Sequence, residues 1–214
     1  MALSTSSSEP LTAPPQRKRG AALHDAILTG AFAELSQVGY RAFSIESVAA
    51  RAGTGKASIY RRWRTKQELV LDAMSALLPT PAQSGIDPVL DESTTTGDAL
   101  RQVARAIART LDSPAGRVMR AVKCEAVTDP ELASAIDERF QAPGRAGLLA
   151  LLRRGVDRGE VRPEAVTPLV AGVLPALLAH RILLQREPVS ERDLVDIIDT
   201  VIIPLVAAPP AAPR

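Results

Sequence analysis

Between Arg51 and Lys66 the chain carries six cationic side chains, Arg51, Lys56, Arg61, Arg62, Arg64 and Lys66, and no acid. Two chemistries can use such a run. Gly53-Thr54-Gly55-Lys56 resembles the end of a phosphate-binding loop, and a cationic run of this density also suits a nucleic-acid backbone. A phosphate loop needs a glycine five residues before its last glycine and a Ser or Thr after the lysine, so that backbone amides wrap the phosphate and a hydroxyl holds magnesium. Ala50 and Ala57 stand at those two places, and no strand precedes them. The nucleotide reading fails. Cations read without counter-charges repel one another unless a polyanion compensates them, which leaves nucleic acid as the partner.

The elements around this window read as helices. Leu23, Ile27, Ala31, Leu35 and Val38 form one apolar face that Gly39 ends. Phe43 precedes Ser44, a good N-cap, and Val48 lies at the spacing of a hydrophobic staple, so a short helix is expected from Ile45 to Ala52. Gly53 breaks it, and a third helix follows from about Lys56 to Trp63. Thr65 to Glu68 is a capping box opening a fourth helix, apolar at Leu69, Ala73, Leu77 and Leu78. Two short helices joined at Gly53, with Ala49 at the turn and Ile59 beneath, make a helix-turn-helix whose second helix can enter a major groove. Lys56, Ala57, Ser58, Arg61 and Arg62 would project from its exposed face, Tyr60 and Ser58 would donate to phosphates, and Lys66 would add charge near a helix amino end. Ile59 and Trp63 read as core. Arg17-Lys18-Arg19 is a further cationic cluster that reads equally as a groove-reaching arm or a solvated charge run.

Residues Arg19 to about Met74 resemble the amino-terminal domain of TetR/AcrR-type transcriptional regulators. The resemblance is carried by GAFAELSQVGY, FSIESVAARAG, the SIYRRW signature and TKQEL, in that order. It implies an all-α homodimer with a DNA-binding domain and a carboxy-terminal domain for ligand binding and dimerisation. By matched position, Lys56, Ala57, Ser58, Arg61 and Arg62 are base-contact candidates and Ser44, Tyr60 and Lys66 are phosphate contacts. The chain departs from the family at Thr54-Gly55, where a branched apolar residue and then Ser or Thr are usual, so the start of the recognition helix is open between the two caps. DPELASAIDERFQAPGRAGLLALLRRGVDRGEVRP is similar to the central helices of one TetR subgroup and serves only to place helices.

Composition fits this division. Residues 1–78 hold 10 Lys and Arg against 6 Asp and Glu, and the remainder 16 against 18, so a basic head precedes a slightly acidic body. Five of the six aromatic residues also lie before residue 64. Cys124 is the single cysteine, which excludes an intrachain disulfide and a cysteine metal cluster and suits a reducing cytoplasm. No cofactor or metal is implied. Residues 1–16 have neither the basic start nor the apolar core of a secretory signal. The run from Leu169 to Ala179 is too short for a bilayer, so no membrane partner is expected.

The expected organisation is a disordered tail over 1–16, a helix-turn-helix domain over 17–64, a connecting helix over 65–78, and a loop over 79–96. A ligand-binding and dimerisation domain follows over 97–207, then a tail over 208–214. About nine helices are expected, with Ser113-Pro114, Asp129-Pro130, Thr167-Pro168 and the Ser190 box marking helix starts. The stripe Leu100, Val103, Ala104, Ile107 and Leu111 leaves Arg101, Arg105 and Arg109 on the solvated side. Segments 169–184 and 194–206 are apolar on more than one face, a surplus that suggests a partner subunit meeting Leu177, Ile182, Leu194, Ile198, Val201, Ile202 and Leu205 in a four-helix interface.

Met119, Cys124, Phe140 and His180 are candidate ligand-binding residues, each also readable as ordinary core or interface. With Phe140 the one aromatic after Trp63, an aliphatic or modestly polar effector fits better than a stacked aromatic cation. An enzyme is disfavoured: a Cys124/His180 pair would lack both a glycine-rich turn for an oxyanion hole and an orienting acid. The function expected is a ligand-responsive repressor that binds a near-palindromic double-stranded DNA operator as a homodimer and leaves it on binding a small-molecule effector. An architectural DNA binder without an effector is the alternative.

Overall fold

The computed structural model of the chain describes residues 20–77, 93–185 and 189–209. The cationic cluster at residues 17–19, most of the 79–96 segment and Leu78 lie outside the described residues. The helices are α1 (Ala21–Ala42), α2 (Ile45–Ala52), α3 (Lys56–Tyr60), α4 (Lys66–Leu77), α5 (Thr96–Asp112), α6 (Pro114–Ala126), α7 (Pro130–Ile136), α8 (Ala142–Asp157), α9 (Pro168–Ala179), α10 (Glu191–Ile197) and α11 (Ile203–Val206). A π turn over Asp137–Gln141 joins α7 to α8, and another over Ile198–Ile202 joins α10 to α11, so the helices among the described residues form nine rods, the first of them kinked at Gly39 (φ 74°, ψ 178°), where its apolar face was expected to end. A third π turn, His180–Gln185, extends α9. Among the described residues no strand forms; the one sheet-like contact is an antiparallel bridge between Val161 and Ala207. Ala208, assigned to the tail, donates its N–H to the Glu160 carbonyl beside that bridge.

Local chemistry sets the helix starts. Ser44, Ser113, Asp129, Thr167 and Ser190 each accept a backbone N–H three residues on, satisfying a donor that no helical carbonyl can reach. The expected box at Thr65 forms in altered shape. Thr65 Oγ1 caps the Glu68 N–H at 3.1 Å, but the Glu68 carboxylate reaches back to the N–H of Arg64, one residue beyond the usual target.

Two apolar cores divide the molecule, and they do not divide at the 79–96 segment. The first gathers α1 to α4 around Ile27, Val48, Ile59, Leu69 and Met74, and also takes in Val118, Met119 and Val122 of α6, with Leu132 and Ile136 of α7. The second is built from α5, α8, α9 and the α10–α11 rod around Leu100, Leu152, Leu174, Leu178 and Ile198. The amino-terminal half is therefore completed by helices that come later in the chain, because α6 packs along α1 and leaves α5 to the second core. Arg101 and Arg105 also depart from expectation. They pair with Asp199 and Glu191, stapling α5 to the last rod rather than facing solvent alone.

Gly53 turns the chain between α2 and α3 at φ 67°, ψ 40°, and a Cβ placed there would meet nothing within 4 Å. Space is free and the backbone alone demands glycine. Gly53→Ala is expected to lower the unfolding free energy by about 1–2 kcal/mol, read from urea unfolding followed by circular dichroism.

Candidate nucleic-acid interface

The recognition segment is held from beneath. Ser44 Oγ accepts the Ser47 N–H at 3.1 Å and starts α2, and Phe43 and Val48 are both buried in the first core, as a staple requires. At the turn, the Gly53 N–H bonds the Ala50 carbonyl and the Thr54 N–H bonds that of Ala49. Gly55 is the N-cap of α3 and supplies no side-chain oxygen, which settles the start of that helix at Lys56. α3 has five residues, shorter than the expected Lys56 to Trp63, and continues as turns in which Arg62 and Trp63 both bond back to Ile59. Ile59 is wholly buried and Trp63 nearly so, and the Trp63 indole stacks on the His24 imidazole with centroids 5.1 Å apart. Its N–H donates to Asp72 of α4 at 2.6 Å.

Above these anchors, Lys56, Ala57, Tyr60, Arg61 and Arg62 are exposed and Ser58 is half-buried. Arg61 and Arg62 donate to the Ser58 hydroxyl and carbonyl, at 3.1 and 2.7 Å, and make no ion pair among the described residues. The six cations are not all without counter-charge, which corrects the sequence reading. Arg51 Nε bonds the buried Glu34 carboxylate at 3.0 Å and fastens α2 to α1, while Lys56 Nζ meets Glu46 at 2.6 Å. The Glu46 carboxyl is held below its ordinary range by that hydrogen bond, and the Lys56 ammonium is raised by the same contact. Both acids lie outside the window that spacing alone singles out.

The phosphate-contact candidates divide. Tyr60 is 53% exposed. Ser44 is half-buried and its hydroxyl caps α2 and meets Ser47 Oγ at 3.2 Å. Lys66 places Nζ 4.5 Å from the centre of the Tyr40 ring and 5.7 Å from that of Phe43. Partial burial pushes its ammonium pKa down, with Glu125 of α6 opposing. Burial, then Asp129 and Glu125, push the Tyr40 hydroxyl up. Lys66 thus rests on aromatic faces near acids of the later helices, a cation–π seat that sequence spacing did not signal.

A profile described as bacterial regulatory proteins of the tetR family matches residues 27–73, the segment just built. A second, described as a tetracyclin repressor-like carboxy-terminal domain, matches residues 89–201, more than half of the chain. The chain belongs to the TetR family. It is 32% identical over 194 residues to a DNA-binding transcriptional repressor TetR of Mycobacteroides abscessus, covering 88% of this chain and 96% of that one. A crystal structure of a TetR-family regulator from Mesorhizobium loti shares the fold with a TM-score of 0.70 at 20% identity, covering 90% of this chain and 100% of that one. The multidrug binding protein EbrR, solved with imidazole, shares it with a TM-score of 0.65 at 19% identity, over 87% and 96%. The protein is thus a helix-turn-helix transcriptional regulator, all-α as expected.

The carboxy-terminal candidates of this TetR-family regulator are less well assembled. Met119 and Phe140 pack with the first core, whereas Cys124 and His180 are exposed. A concavity of about 520 Å³ elsewhere, bordered by Thr96, Arg101, Glu160, Asp199 and Ile203 among others, includes none of them. Four of the seven interface candidates, Ile182, Leu194, Ile198 and Ile202, are buried in the chain's own second core, where the last rod and the end of α9 pack against α5. Val201 is exposed, and Leu177 and Leu205 are half-buried. Among the described residues no helix is long and apolar enough to cross a membrane.

Anchors and exposed cations separate cleanly by stability. Ile59→Ala is expected to cost about 2–5 kcal/mol, as a buried large-to-small change does, whereas Arg61→Ala and Arg62→Ala stay within about 0.5 kcal/mol. Urea unfolding of the three variants checks the division.

Proposed function

We propose that the protein is a ligand-responsive repressor that binds a near-palindromic operator as a homodimer in the cytoplasm. The observation that carries the reading is the pairing of opposites around α3: Ile59 and Trp63 fixed in the core, and Arg61 and Arg62 exposed with no carboxylate partner among the described residues. Arginine in that position can bond guanine O6 and N7, and small Ala57 can meet a thymine methyl. Lys56 would exchange Glu46 for DNA, Tyr60 would donate to a phosphate, and Lys66 and Ser44 would contribute charge or dipole from the flanking helix starts.

Dimerisation is supported by the apolar surface that remains on α9 and the last rod. Leu169 is 81% and Val201 41% exposed, and Val173, Leu177, Ile197 and Leu205 are only partly covered. Such a patch, self-complementary about a two-fold axis, would close as a four-helix interface and set two recognition helices ~34 to 36 Å apart. The effector role rests on the family and on the shared fold of EbrR, a multidrug binding protein. For release, the effector must favour a conformation in which the two α3 helices no longer match their half-sites.

The test is a binding titration against the DNA upstream of the protein's own gene and a scrambled control at two salt concentrations. A preference of roughly a thousandfold or more, with affinity falling steeply as salt rises, is expected. Equal, salt-sensitive binding to both DNAs and to sequences selected from a random pool would reject operator recognition. A Val201→Asp variant is expected to sediment as a monomer at concentrations where the wild type is a dimer, since it places a charge in the apolar patch; an unchanged dimer would move the interface elsewhere.

A further inference from the structure

Arg139 lies in the π turn between α7 and α8, yet it bonds to α4 of the amino-terminal half. Its Nε donates to Ser75 Oγ at 2.7 Å, and its guanidinium pairs with Oδ1 of Asp72. The other oxygen of that carboxylate, Oδ2, accepts the indole N–H of Trp63 at 2.6 Å. One carboxylate thus stands between a cation from the later helices and the residue that closes the recognition segment. A π turn holds one more residue than an α turn and rotates the side chains that follow, a feature common where a helix serves function. Here it falls at the residue that crosses to α4. A carboxylate shared by two donors forms charge-assisted bonds, and each donor polarises the other.

We infer that Arg139 is a positioning residue for the recognition helix: through Asp72 it fixes Trp63, and so the orientation of α3, from the carboxy-terminal half of the chain. The inference rests on the reading of α3 as the DNA-recognition helix. Side-chain exposures of 41% for Arg139 and 34% for Asp72 leave the link accessible to solvent, so it can loosen without unfolding the core.

Trp63 is the sole tryptophan, so the ¹H–¹⁵N spectrum of the full chain contains a single indole N–H signal that reads the link without any DNA. In Arg139→Ala that signal is expected to shift, with circular dichroism and the unfolding midpoint close to wild type, and DNA binding to weaken about two- to fivefold. Arg139→Lys, which returns a cation beside Asp72, is expected to move the signal back toward its wild-type position. Asp72→Asn, which keeps an oxygen for the indole but removes the charge, is expected to reproduce Arg139→Ala. An indole signal unmoved in both Arg139→Ala and Asp72→Asn overturns the link, as does a lysine variant indistinguishable from the alanine one. A responsive signal in a protein that selects no DNA sequence would sustain the link and reject operator binding instead.

Discussion

A recognition helix of five residues cannot hold itself together. Isolated helices shorter than about 12–15 residues are marginal in water, since nucleation fixes several backbone angles for one hydrogen bond. α3 therefore exists only because its inner face is fixed: Ile59 fills the first core, Trp63 is clamped between His24 and Asp72, and Gly53 sets the entry angle. Every other feature of the amino-terminal half follows from that need. α1 and α4 supply the surfaces against which the short helices pack, and α6 and α7 of the later chain complete the same core. The cost is that this half has no closed core of its own. α6 and α7 thus share the core in which Ile59 is anchored.

The local grammar of the chain was legible from its letters. α2 runs from Ile45 to Ala52 as expected, the Ser, Asp and Thr caps with their following residues stand where they were read, and Gly53 breaks the chain at positive φ. These depend on neighbours within four residues. What escaped the sequence depends on space. The acids that neutralise Arg51 and Lys56 come from α1 and from the first turn of α2, so a count along the chain overstated the unpaired charge. The division into cores escaped for the same reason, since nothing in a run of apolar residues says which helix it will meet. The π turns at Asp137–Gln141 and Ile198–Ile202 change the face that each rod presents, and Ile198 and Ile202, expected to meet a partner, are buried within the chain's own core.

In the carboxy-terminal half, surplus apolarity was real but its allocation was not readable. Ile182, Leu194, Ile198 and Ile202 serve the subunit's own core, while Leu169 and Val201 carry the exposed remainder. The Arg101–Asp199 and Arg105–Glu191 pairs link α5 to the last rod at the edge of the second core, which their apolar residues already share. That core meets the first across α5–α6 contacts, whereas the α4–α6 contacts and the Arg139–Asp72 pair tie the later helices to α4 on the first core's side. Sequence resemblance located the family; the packing of this chain's own side chains locates the seam between the two cores.

The central claim is that α3 reads bases through its exposed arginines while the residues around it grip the backbone. Selection from randomised DNA with wild type, Arg61→Ala and Tyr60→Phe tests this most directly. Arg61→Ala is expected to flatten the base preference at one position in each half-site, symmetrically, and Tyr60→Phe to weaken all sequences alike with the profile unchanged. An Arg61→Ala profile identical to that of the wild type would contradict the account.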